Sequence, residues 1–144
     1  MKRVLLAALL AALALIMCGC RAEAMDKEAA EADSVRVEVV PDCGEDIYQV
    51  GLYYEINGDE SGAGGVACAD GSALEKGRPV VWDFSGEGIK RGAQLYLEFS
   101  VTDAEGTEYP ADKTFTLKAQ SGDTLTFVIT GDRSAGFIAA KKQP

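Results

Sequence analysis

The sequence predicts an all-β domain, a seven- or eight-stranded antiparallel β-sandwich over residues 34–144. Three observations predict it. From Ser34 onward Val, Ile, Tyr, Phe and Thr recur at every second position, the period of a strand with one buried face. Gly, Asp and Asn punctuate these runs every 8–14 residues or so, as turns between short strands do. No stretch of this region carries a convincing helical period, and about 110 residues bury one core rather than two.

Val35, Val37 and Val39 alternate with Arg36 and Glu38 in a first strand that Pro41 closes. Ile47 to Ile56 is the longest candidate. Tyr48, Val50, Leu52, Tyr54 and Ile56 share one face, and Ile47, Gln49, Gly51, Tyr53 and Glu55 share the other. Asn57-Gly58 is a tight-turn signal, because both residues tolerate positive φ. The Gly-rich stretch from Ser61 to Ala69 is expected to return as a short irregular strand carrying Cys68. Gly62-Ala63-Gly64-Gly65 is not a phosphate cradle, since Val66-Ala67-Cys68 follows where a helix and a Lys-Ser/Thr pair would be required.

Pro79 to Phe84 places Val80, Trp82 and Phe84 on one face. Gln94 to Thr102 turns Leu95, Leu97, Phe99 and Val101 inward, and residues 103–106 turn into Thr107 to Tyr109. Phe115 and Leu117, then Leu125, Phe127 and Ile129, mark two further strands, and a last one lies around Gly136 to Ala140. Two packed sheets bury one face of each strand, and a small closed barrel is the alternative. The pattern resembles Ig-like and fibronectin-type sandwiches in architecture only. The Cys…Trp…Cys order of antibody domains is absent, because Trp82 follows both Cys43 and Cys68.

The start of the chain has a different chemistry. Lys2 and Arg3 precede the apolar run Val4 to Met17, and Cys18-Gly19-Cys20 ends it. As a helix that run would span roughly 21 Å, short of a hydrocarbon core of about 30 Å, and it fits a signal-peptide core instead. Met17 to Cys20 resembles the lipobox of bacterial lipoproteins. The resemblance implies that Cys20 receives a diacylglycerol and becomes the mature N-terminus after residues 1–19 are removed. Cys18 is the poorer candidate, because Met17 would sit where a small side chain is required. An ordinary secretory signal and an uncleaved anchor are the alternatives. The expected address is the extracytoplasmic face of a cell membrane, held there by covalent lipid. Residues 20–33, rich in Ala, Glu and Asp, read as a lipidated Cys and an acidic tether, about 20 Å long as flexible coil.

Of the 14 basic residues, Lys2 and Arg3 leave with the signal peptide. The remaining 12 face 23 acidic residues, moving the net charge from −9 to near −11. Such a body is repelled by nucleic acid, and no nucleic-acid partner is expected. With no His in the chain, the Ser-His-Asp and Cys-His constellations and nearly all familiar zinc and haem sites are excluded. No catalytic residue, metal ligand or cofactor is expected. The acidic runs (Asp42, Glu45 and Asp46; Asp59 and Glu60; Asp103 and Glu105) lack the spacing of an EF-hand loop. After Cys18 and Cys20 are assigned, Cys43 and Cys68 remain. In an exported domain they are expected to form a disulfide, with two free thiols as the alternative. Tyr53 and Tyr96 fall on the solvent faces of two predicted strands. If those strands are neighbours, the rings form an exposed platform for a sugar or peptide, against the alternative of ordinary cross-strand packing. The function expected is a non-catalytic binding or adaptor module for an envelope protein or glycan. The alternative is an accessory subunit of an envelope complex.

Overall fold

The computed structural model describes residues 33–143, so Cys18, Cys20, the whole expected signal peptide and all of the tether but Asp33 lie outside the described residues. The described part is all-β. Its strands are β1 (Ser34–Pro41), β2 (Gln49–Ile56), β3 (Glu60–Ala67), β4 (Val80–Ser85), β5 (Ala93–Thr102), β6 (Glu108–Asp112), β7 (Phe115–Ala119), β8 (Thr124–Asp132) and β9 (Gly136–Lys141). A single four-residue helix, α1 (Glu87–Lys90), links β4 to β5 and seats Ile89 in the core.

The strands join in the order β3-β2-β5-β6-β9-β8-β1-β4, with β7 also paired to β5. The sheet curls until it is nearly closed, with β3 and β4 as its ends. Three ring pairs cross between strands that share no hydrogen bonds. Phe99 on β5 lies 4.9 Å from Phe127 on β8, Phe115 on β7 lies 4.8 Å from Phe127, and Tyr54 on β2 lies 4.8 Å from Phe84 on β4. The core is therefore squeezed between two halves of one sheet. Alternation supplies it: Val35, Val37 and Val39 from β1, Leu95, Leu97, Phe99 and Val101 from β5, and Leu125, Phe127 and Ile129 from β8 are all buried.

The two halves share β6. Glu108 to Pro110 pair with β5, whereas Ala111 and Asp112 pair with Phe137 and Ile138 of β9. Pro110 stands at the switch, where its missing N–H costs least.

Several expectations are corrected. Among the described residues there are nine strands, one or two more than expected, and the sheet is mixed rather than antiparallel. β1 runs parallel to β8 and β6 parallel to β9. Period-two alternation records which face is buried and is silent about strand direction. The Gly-rich stretch is a regular eight-residue strand, β3, paired along its whole length with β2. Its glycines make room for neighbours. A Cβ on Gly62 would press within 2.5 Å of the Tyr54 hydroxyl, and one on Gly65 would collide with the Gln49 amide. Tyr54 can thus lie across β3 and reach Phe84 at the far end of the sheet.

Cys43 and Cys68 are free thiols, so the expected disulfide is absent. Cys43 is buried after β1 and donates to the Ile129 carbonyl, while Cys68, past the end of β3, donates to the Ala73 carbonyl. An even count of cysteines does not bring two Cβ atoms to bonding distance. Burial, reinforced by the neighbouring Asp42 carboxylate, raises the Cys43 pKa to about 11, so it stays a thiol at neutral pH.

Candidate ligand face on β2, β5 and their neighbours

β2 and β5 are antiparallel neighbours, which places Tyr53 opposite Glu98 and Glu55 opposite Tyr96. The four side chains make a checkerboard on the outer face, diagonal in like kind. The Tyr53 and Tyr96 rings meet with centroids 6.4 Å apart and planes at 77°. The predicted pair therefore exists, but it is a corner rather than a flat platform, because one ring presents its edge to the other.

Each tyrosine hydroxyl donates to a carboxylate on its own strand: Tyr53 to Glu55 at 2.8 Å, and Tyr96 to Glu98. Accepting those protons' bonds, the carboxylates push both phenol pKa values up. A third carboxylate joins them from β6, where Glu108 accepts from Ser100 Oγ at 2.6 Å.

Beside the rings the surface dips into an open depression of about 610 Å³, whose lining includes Gln49, Gly51, Tyr53, Ala63, Gly65, Glu98, Ser100 and Glu108. Gly51 opens its floor. A Cβ there would collide with Ser100 Oγ. A smaller hollow of about 250 Å³ adjoins Tyr96, lined by Glu55, Asn57, Gln94 and Thr116 among others. No Lys or Arg lines either hollow. Lys118 stands opposite Gln94 near the end of β7.

Glu55, Glu98 and Glu108 have no ion-pair partner among the described residues, in contrast to most of the molecule's other clustered acids. The depression and the unpaired carboxylates were not visible in the sequence. Only the alternation that put Gly51, Tyr53 and Glu55 on one face could have pointed to them.

At one end of the sheet, acids from two of the sequence runs converge on Arg133. Its guanidinium lies 2.6 Å from Glu45, 3.5 Å from Asp103 and 3.8 Å from Glu105. Asp103 is buried and organises the β5–β6 turn, accepting from the Glu105 and Thr107 N–H groups and the Tyr109 hydroxyl. These runs thus serve as the struts of three loops, with a guanidinium at their centre. Burial pushes the Asp103 carboxyl up. The Thr107 N–H, Tyr109 hydroxyl, Glu105 N–H and Arg133 charge outweigh it and hold the pKa below the ordinary value.

A depressed folded-state pKa means that the unfolded chain binds more protons near pH 3–4. The stability Asp103 contributes is thus present above about pH 4 and lost as pH falls through the folded-state value. Asp103→Asn is expected to lower Tm by about 5 °C or more at pH 7 and to differ little from the parent near pH 2. Thermal unfolding followed by circular dichroism checks this. An equal deficit at both pH values would assign the effect to lost packing instead.

No family model and no curated protein matches the chain. Among solved structures it is similar to an NMR structure of a protein from Eubacterium rectale, at 12% identity over 78% of this chain and 91% of that one, with a TM-score of 0.41. It is also similar to a non-hemolytic pneumolysin from Streptococcus pneumoniae, at 9% identity over 77% of this chain and 24% of that one, with a TM-score of 0.39. The membrane-binding domain of pneumolysin gives 11% identity, 77% and 97% coverage and a TM-score of 0.38. This chain spans about a quarter of the whole toxin's length. Likeness at this level assigns no activity.

Proposed function

We propose that the chain is a lipid-anchored module on the extracytoplasmic face of a cell membrane. In this reading an Ig-like sandwich, tethered through Cys20 and residues 21–33, binds an envelope protein or glycan and performs no catalysis. The observation that carries it is the outer face of β2 and β5, where Tyr53 and Tyr96 stand beside a depression rimmed by hydrogen-bonded carboxylates. An exposed Tyr53 and a half-buried Tyr96 next to fixed polar groups are the usual makings of a recognition surface.

A second reading, an accessory subunit without a small ligand, draws on the opposite half of the sheet. There Val81 on β4 and Ile138 on β9 are exposed. Exposed apolar side chains can serve as anchors for a protein partner.

Crosslinking in intact cells, paired with a glycan array, separates the two. The double variant Tyr53→Ala, Tyr96→Ala is expected to lose at least about tenfold in binding while its Tm stays within a few degrees. Retained binding in that variant, with loss in Val81→Ser, Ile138→Ser, would move the interface to the other half.

A further inference from the structure

β3 is an end strand and is paired on one side only. From Ser61 to Ala67 it carries no charge and no proline. Among the described residues, no backbone or side-chain hydrogen bond from an element other than β2 reaches the main chain of this stretch. Its outward N–H and C=O groups are thus open to another strand. The opposite end is guarded differently: β4 follows Pro79 and carries the Asp83–Arg36 ion pair. Proteins commonly blunt such edges with charge or proline, and an unguarded edge invites strand addition.

The outer face beside that edge is anionic. Glu55 lies opposite Ser61, and Tyr53 opposite Ala63, so a strand added to β3 would look across only small side chains toward both. The four-carbon stem of a lysine is long enough to cross one inter-strand spacing of about 4.8 Å. It would then meet a tyrosine face and a carboxylate already fixed by a hydroxyl, the surroundings that favour a cation.

We propose that β3 and the Tyr53–Glu55 face together receive an extended basic segment of a partner polypeptide, added as a further strand. The edge supplies main-chain hydrogen bonds, and the unpaired Glu55, on the strand next to β3, selects lysine or arginine across from Ser61. The 77° corner between the rings suits a compact cationic group better than the flat face of a sugar. The chain's own residues 21–33 are unsuitable occupants, with five acids against Arg21 and Lys27. A second copy would bring acid against acid. The proposal rests on the reading of this face as the ligand face and narrows its ligand.

The test titrates full-length protein with a nine-residue peptide alternating lysine and threonine, followed by anisotropy and by amide NMR shifts. Shifts are expected along Ser61–Ala67 and at Tyr53. Affinity should fall by about tenfold for the peptide with glutamate in place of lysine, and for one N-methylated on alternate amides. Glu55→Gln should weaken it similarly, as should raising salt from about 50 to about 500 mM. Full affinity for the N-methylated peptide overturns strand addition. Tighter, Tyr53-dependent binding of glucosamine oligomers overturns the polypeptide while leaving the ligand face in place. Self-association that blocks β3 overturns it in favour of a second copy. Absence of any peptide binding also overturns it, and if no glycan binds in a Tyr53- or Tyr96-dependent way, the ligand face falls as well.

Discussion

Phe127→Ala is expected to remove about 3–5 kcal/mol of folding stability, a large share of the roughly 5–15 kcal/mol a domain of this size possesses. Phe127 is fully buried near the middle of β8, paired to Val39 of β1 on one side and to Lys141 of β9 on the other. Its ring is the meeting point of the two halves of the sheet, with Phe99 at 4.9 Å and Phe115 at 4.8 Å. Phe99 and Phe115 also touch one another, at 6.0 Å. Truncation would leave a void walled by rings on strands that the backbone holds in place, so the site cannot collapse to fill it. Phe127→Leu retains most of the volume and should cost about 1–1.5 kcal/mol. Urea unfolding should show the midpoint fall with the slope unchanged. A loss below about 1 kcal/mol for the alanine variant would mean that the halves are not packed face to face at this point.

The positions of the strands were legible because burial imposes a period of two. Leu95, Leu97, Phe99 and Val101 alternate with Gln94, Tyr96, Glu98 and Ser100, and nothing but a strand with one wet face explains that order. The same alternation placed Tyr53 and Tyr96 on outer faces before their strands were known to be neighbours. What it could not encode was pairing. β1 meets β8 across most of the domain's length in sequence, and the parallel sense of that contact leaves no local trace. The regularity of β3 was obscured by its glycines, which read as a short irregular strand although they are sites of close approach by Tyr54 and Gln49. The cysteine pair failed for a related reason. Composition and compartment made a disulfide plausible, but the hydrogen bonds of Cys43 to Ile129 and of Cys68 to Ala73 point the thiols at separate carbonyls.

Cys20→Ser is expected to abolish both incorporation of labelled palmitate and stable membrane association of the mature protein, whereas Cys18→Ser should change neither. The expectation rests on the resemblance of Met17 to Cys20 to the lipobox, and the forces open to the chain agree with it. The apolar run of Val4 to Met17 is too short to span comfortably, at roughly 21 Å as a helix. Electrostatics act in the wrong direction, since the chain carries 23 acidic against 14 basic residues and an anionic surface repels it. Two or more acyl chains, which the resemblance implies at Cys20, would supply about 0.8 kcal/mol per buried CH₂, enough for stable anchoring. A salt wash should therefore leave the parent protein on the membrane and detergent should release it, since the tether has no charge attraction for salt to screen. Membrane fractionation with and without the substitution reads all of this at once. If the Cys20→Ser protein is still processed at the same place, labelled by palmitate and retained after a high-salt wash, the lipid is attached elsewhere and the address must be argued from another residue.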